Sequence, residues 1–175
     1  MRQRTAQLWD TTKYYIHNWS YFVHAERDAA TIRVGQNLVP DPTTIVDLSA
    51  GGGKIATEIG RYFGVEPFLS DLSYKYGYAM HGPMEHVIEH IPDWDLWINT
   101  ETVEHLEDPD AILRRGRDKA SRMLLTTPTQ EKVERQAEGH LWVWDREGVE
   151  EMLCDTGWKP VSFEQVSIFG IWVCE

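Results

Sequence analysis

The segment Glu101-Thr102-Val103-Glu104-His105 holds two carboxylates and an imidazole in close succession. Read as a helix, this spacing sets Glu101 above Glu104 and His105, at i+3 and i+4. His140 falls in a later loop expected to cross the same end of the fold. The four side chains are a donor set for an open divalent-cation site, with positions left for water or substrate. Two plainer readings stay open: His105 as a general base, or as a residue that only starts a helix. A second constellation is Asp47-Leu48-Ser49-Ala50-Gly51-Gly52-Gly53, with Asp71 further on. Glycines let a backbone turn sharply and approach a ligand, and a carboxylate at Asp71 can accept both hydroxyls of a ribose. A phosphate-binding P-loop is excluded: Leu48 stands where its first glycine belongs, and Ile55 replaces the Ser/Thr metal ligand. Gly51-x-Gly53-x-x-Ala56 fits the loose dinucleotide fingerprint. A pyrophosphate near Asp47 would meet like charge, however, whereas a sulfonium with an amino-acid tail would not.

These residues need a scaffold that brings strand ends together. Thr44 to Leu48 is a short β-branched apolar run, hence a buried strand. Lys54 to Phe63 carries Ile55, Ile59 and Phe63 on one helical face and stops at Gly64. Strands are expected at Pro67 to Ser70, near Tyr78 to His81, at Trp94 to Asn99 and at Arg122 to Thr126, with a helical turn near Glu85 to His90. Pro109 to Lys119 reads as a helix capped by Asp108, and a further helix capped by Asp145 ends at Gly157. Residues 158–166 and 168–174 read as a hairpin. The alternation predicts an α/β fold, a mainly parallel sheet with helices on both faces. The expected organisation is one domain over 1–175, with an N-terminal helical lid over 1–40 and a core over 41–175. The lid is drawn from the aromatics Trp9, Tyr14, Tyr15, Trp19 and Tyr21, which an ordinary packing helix would equally explain.

On these motifs the chain resembles the class I methyltransferases that use S-adenosylmethionine (SAM), whose first motif is Asp-x-Gly-x-Gly-x-Gly. Ser49 replaces the first glycine, and Pro83 stands where the family often has Asp. The resemblance implies a Rossmann-like seven-stranded sheet with SAM as cofactor. It further implies cofactor contacts from Asp47, Ser49, Ala50, Gly51, Gly53, Asp71, Leu72, Met84, Glu85 and Asn99. The Glu-x-x-Glu-His run with a later His is similar to a metal-dependent O-methyltransferase subset, comprising ubiquinone-pathway enzymes and small-RNA terminal 2′-O-methyltransferases. That likeness implies Mg²⁺ or Mn²⁺ on Glu101, Glu104, His105 and His140, with Glu104, His105 and His140 catalytic. The expected reaction is O-methylation of a small hydroxylated acceptor. The alternatives are methylation of an RNA 3′ end and a catalytically silent SAM-binding scaffold, the latter motivated by Ser49 and Pro83.

Composition bounds these readings. With 17 basic and 28 acidic side chains, the net charge of −11 disfavours a nucleic-acid partner. Arg114, Arg115, Arg117, Lys119 and Arg122 cluster and read as the solvated end of a surface helix. Cys154 and Cys174 form no metal-type or redox-type pair, and no apolar run is long enough for a membrane span or a signal peptide, so a cytoplasmic setting is expected. His86 and His90 sit four apart between Glu85 and Glu89, which more often marks a solvated turn than a metal site. Trp142 and Trp144 are read as packing rather than as an aromatic pocket. The short link before the last helix leaves no room for a substrate domain, so the pocket is expected to be open or completed by a second subunit.

Overall fold

The computed structural model describes residues 1–7 and 24–175. Strands are β1 (Arg2–Arg4), β2 (Ile45–Asp47), β3 (Phe68–Leu69), β4 (Trp94–Thr100), β5 (Ala120–Pro128), β6 (Trp142–Trp144), β7 (Pro160–Val166) and β8 (Phe169–Cys174). Helices are α1 (Ala25–Leu38), α2 (Lys54–Phe63), α3 (Met84–Val87), α4 (Pro109–Lys119) and α5 (Arg146–Asp155). The main sheet runs β3-β2-β4-β5-β8-β7. The β2/β3, β2/β4 and β4/β5 pairs are parallel, whereas β8 is antiparallel to both its neighbours. The two-stranded β1/β6 ribbon, antiparallel, was not expected from the sequence.

Among the described residues the sheet has six strands, one fewer than expected, because residues 78–81 form no strand. Tyr74–Tyr76 is instead a 3₁₀ turn closed by Gly77 in the left-handed region, and the chain crosses irregularly to α3. The aromatic residues expected to form a lid fall in 8–23, outside the described residues; α1 is the described part of the N-terminal helical segment.

Side chains of β4, β5 and β8 alternate between two cores, as the two-residue period of a strand requires. Leu96, Ile98, Leu124, Ile171 and Val173 pack with Val34 of α1 and Ile55 and Ile59 of α2. Trp97, Met123, Leu125 and Trp172 pack on the other face with Ile112 and Leu113 of α4 and Met152 and Leu153 of α5. Two glycines permit the close approaches. A Cβ on Gly35 would lie 2.5 Å from the Ile59 side chain, and one on Gly116 would lie 1.9 Å from the Trp97 ring. Helix limits follow local chemistry. Asp108 and Asp145 accept the Ala111 and Gly148 N–H groups at 3.0 and 2.9 Å, and Gly64 ends α2 at φ +71°.

The chain leaves β2 toward β3 on one side and returns to β4 on the other. Their carboxyl ends therefore flank the point where strand order reverses, the usual ligand crevice of such sheets. Four of the five basic residues clustered in α4 and β5 have acidic or carbonyl partners. Arg115 pairs with Glu89, Arg117 bonds the Gly157 and Ala120 carbonyls, Lys119 bonds the Ile91 carbonyl, and Arg122 lies 3.7 Å from Glu175. Trp142 and Trp144 stack on one another, and Trp144 is buried in the core.

Candidate active site

A cavity of about 460 Å³ opens at the carboxyl ends of β2, β4 and β5. Its floor is Asp47, Ser49, Ala50, Gly51 and Gly52 from the Gly-rich turn, and its opposite wall is Glu101, Glu104, His105 and His140. Asp47 and most of the Gly-rich turn thus share one space with the acid-and-histidine constellation. The Ser49 and Thr102 hydroxyls, 2.6 Å apart, tie the β2 and β4 loops together. A Cβ on Gly52 would meet nothing within 4 Å, so the backbone here faces open space rather than packed protein.

Asp47 accepts the Ser49 N–H at 3.1 Å. Burial pushes its carboxyl up to about 7, and the charge of Asp71 adds to the rise. A cationic ligand would relieve this buried carboxylate. Asp71 is placed differently. It is fully buried, with Oδ2 accepting the Gly51 N–H and Oδ1 the Ser73 N–H, both at 2.8 Å. Tyr78 covers the turn from the same side, donating its hydroxyl to the Gly51 carbonyl at 2.7 Å. Asp71 and Leu72 are outside the cavity lining, and so is Gly53, whose φ of +71° starts α2. Met84 lies in the core, and Glu85 lines a separate surface groove with His86, Glu89 and His90. Asn99 is fully buried, and both its amide atoms lack a hydrogen-bond partner among the described residues.

At the other wall, Glu101 departs from the helical reading. It has φ +53°, a left-handed conformation uncommon outside glycine, and the 3₁₀ turn starts only at Val103. Its Oε1 accepts the Thr126 hydroxyl and its Oε2 pairs with Arg27 Nη1, each at 3.1 Å. Glu104, His105 and His140 do converge, each offering a ligand atom within 4.8 Å of the others. His105 Nδ1 donates to the Gly139 carbonyl at 2.9 Å, which puts its lone pair on Nε2. His140 Nδ1 lies 2.5 Å from Glu131 Oε2. Glu104 Oε2 accepts the Thr127 hydroxyl at 3.1 Å, while its buried Oε1 has no hydrogen-bond partner among the described residues. His86 and His90 join no such group among the described residues; His90 Nδ1 bonds the His86 carbonyl.

Burial dominates the electrostatics of this wall. It raises Glu101 to about 8, helped by Glu104, and raises Glu104 as well. It lowers His105 to about 3, with His140 adding to the effect. Burial alone would also lower His140, but the bond to Glu131 and the Glu104 and Glu101 charges outweigh it and raise the imidazole. A wall of buried carboxyls with an unpartnered oxygen and two imidazoles held through their outer nitrogens fits a divalent cation.

Several site residues carried no signal in the sequence. Glu131 sits in the loop after β5, and Arg27, Asp28 and His24 come from the start of α1. The loop bearing His140 is held by the N-terminal residues. The Thr5 hydroxyl donates to the His140 carbonyl at 2.9 Å, and the Gly139 N–H donates to Gln7 Oε1 at 2.6 Å. Pro128, Ala137, Ile168 and Phe169 supply the apolar part of the lining.

No protein-family model matches the sequence, and no curated protein matches it. Solved structures match the fold. The N-terminal domain of EvdMO1, with S-adenosylhomocysteine (SAH) and D-fucose, has a TM-score of 0.61 at 14% identity, over 86% of this chain and 82% of that domain. The Burkholderia thailandensis 1,6-didemethyltoxoflavin N1-methyltransferase, with its substrate and SAH, has 0.62 at 13% identity, over 97% and 91%. Mitomycin 7-O-methyltransferase has 0.61 at 17% identity, and there the match spans 84% of this chain but only 54% of the enzyme. The fold is therefore the Rossmann-like fold of methyltransferases. No helix among the described residues is long and apolar enough to cross a membrane.

Proposed function

We propose that the chain is a SAM-dependent methyltransferase acting on a small hydroxylated acceptor, with a divalent cation, Mg²⁺ or Mn²⁺, on the acceptor side. One observation carries this reading: the Gly-rich turn with Asp47 and the Glu104, His105, His140 group line a single cavity. Methyl transfer needs the donor methyl and the accepting oxygen in line in a shared, mostly dry space. The co-crystallised SAH in two fold relatives supports the cofactor assignment.

The cofactor's sulfonium and amino groups are cations, and Asp47 is the buried carboxylate able to offset them. Ala50, Gly51 and Gly52 give the tail close access to backbone. Asp71 fits the ribose by chemistry, provided that its bonds to Gly51 and Ser73 are exchanged for ribose hydroxyls. Glu104, His105 and His140 would hold the cation, which supplies Lewis acidity that lowers the pKa of the acceptor hydroxyl. His105 and His140 are orientated by Gly139 and Glu131, and Pro128, Ile168 and Phe169 exclude water from the reacting oxygen. Glu101, committed to Arg27 and Thr126, lies outside the converging group.

Calorimetry with SAH and with NAD on the intact chain tests the reading. Micromolar SAH binding with no NAD binding is expected. NAD binding with no response to SAH would sink it.

A further inference from the structure

Arg27 is a buried cation on the wall proposed to hold a metal ion. Its side chain is 8% exposed and lines the cavity beside Gly51 and Lys54. Its guanidinium reaches Asp28 at 2.7 Å and Glu101 at 3.1 Å, and lies over the Phe169 ring at 5.3 Å. Lys54 Nζ lies 3.3 Å from the other oxygen of Asp28. Glu101 lines the same cavity as Glu104 and His140. Glu101, at φ +53°, pairs with a cation the protein itself provides. Glu104, by contrast, keeps a buried oxygen with no hydrogen-bond partner among the described residues.

We propose that Arg27 is a built-in counter-cation for Glu101 which a divalent cation displaces, and that the displaced guanidinium turns to the carboxylate of the cofactor's amino-acid tail, so that cation and cofactor bind cooperatively. The inference rests on the reading of the cavity as a SAM and cation site and adds the coupling between its two halves. Arg27 and Glu101 each have a counter-charge in both states. With no ligands, Arg27 pairs with Glu101 at 3.1 Å. With both bound, Glu101 faces the added cation and Arg27 faces the added carboxylate. With the cofactor alone Glu101 is left without its counter-charge, and with the cation alone Arg27 keeps only Asp28, which it shares with Lys54. Coupling of this kind is reciprocal by linkage.

The test is a pair of calorimetric titrations on the intact chain, Mn²⁺ with and without saturating SAH, repeated with 5′-methylthioadenosine, which lacks the amino-acid tail. SAH should tighten Mn²⁺ by about five- to 150-fold, and Mn²⁺ should tighten SAH by the same factor. Methylthioadenosine should leave Mn²⁺ affinity unchanged. The Arg27→Met and Glu101→Gln variants should each bind both ligands with the coupling reduced to near unity. Wild-type SAH and Mn²⁺ binding that is independent would overturn the coupling while leaving the cavity's assignment intact. So would equal coupling by methylthioadenosine. A wild-type chain that binds no SAH at all would overturn that assignment and the coupling together.

Discussion

His140 Nδ1 lies 2.5 Å from Glu131 Oε2, and the same glutamate accepts the Ala137 N–H through Oε1 at 3.2 Å. One side chain thus holds both the imidazole and the loop that carries it. Such outer-shell carboxylates fix the ligand's tautomer and raise its basicity, and their loss commonly costs about 10–100-fold in metal affinity. Glu131→Ala should weaken Mn²⁺ binding by about that factor while SAH affinity in the absence of metal stays near wild type. Calorimetry reads both, and unchanged Mn²⁺ affinity would refute the role.

Asp47 sets a pH dependence. Its folded pKa, about 7, lies above the ordinary value of 3.8, so the folded chain holds its proton more tightly than the unfolded chain. Its contribution to stability is full below pH 3.8 and is lost as pH rises through about 7. Asp47→Asn should therefore gain stability relative to wild type between pH 5 and pH 8, on the order of 2–4 kcal/mol. Cofactor affinity should run the other way in the wild type. The ammonium of the amino-acid tail favours the ionised carboxylate, so SAH should bind more tightly as pH rises through about 7. Urea melts and SAH titrations at pH 5.5 and 8 check both signs.

Tyr78 seals the side of the Gly-rich turn where Asp71 lies buried. A single neutral hydrogen bond contributes about 0.5–1.5 kcal/mol net. Tyr78→Phe should thus speed SAH association by about two- to tenfold, read by stopped-flow tryptophan fluorescence, with little change in the melting midpoint. An unaltered association rate would show that the hydroxyl does not hold the turn closed.

Two glycines separate packing from site chemistry. Gly116→Ala would drive a methyl into the Trp97 ring, 1.9 Å away, and should cost about 1–3 kcal/mol by overpacking. Gly52→Ala meets open space and should stay within about 0.5 kcal/mol of wild type. Guanidinium denaturation of the two variants measures the contrast, and equal destabilisation would contradict the packing described.

Much of this molecule could be read from residue order, and the readable parts share a cause. The limits of α2 and α4 follow from signals a few residues long: the apolar spacing of Ile55 and Ile59, the left-handed stop at Gly64, and the cap at Asp108. Strands β2, β4 and β5 follow from short apolar runs, and their alternation with helices implies the parallel sheet. From that sheet, the meeting of Asp47 and His105 at one edge follows by topology. The segment 78–81 is the instructive exception. Its aromatics resemble a strand locally, but Tyr78 spends its hydroxyl on Gly51 and the chain crosses without pairing.

Residue order therefore determined the fold class, the Gly-rich turn and the acid-and-histidine composition of the second loop, because periodicity and capping act between near neighbours. Tertiary structure alone decided which groups converge. It paired Glu101 with Arg27 and left Glu104 facing His105 and His140. It brought Glu131 to His140, and it buried Asp71 behind the turn it was expected to serve. Those choices depend on the left-handed backbone at Glu101 and on burial, which desolvates each charge until a partner from a distant element answers it.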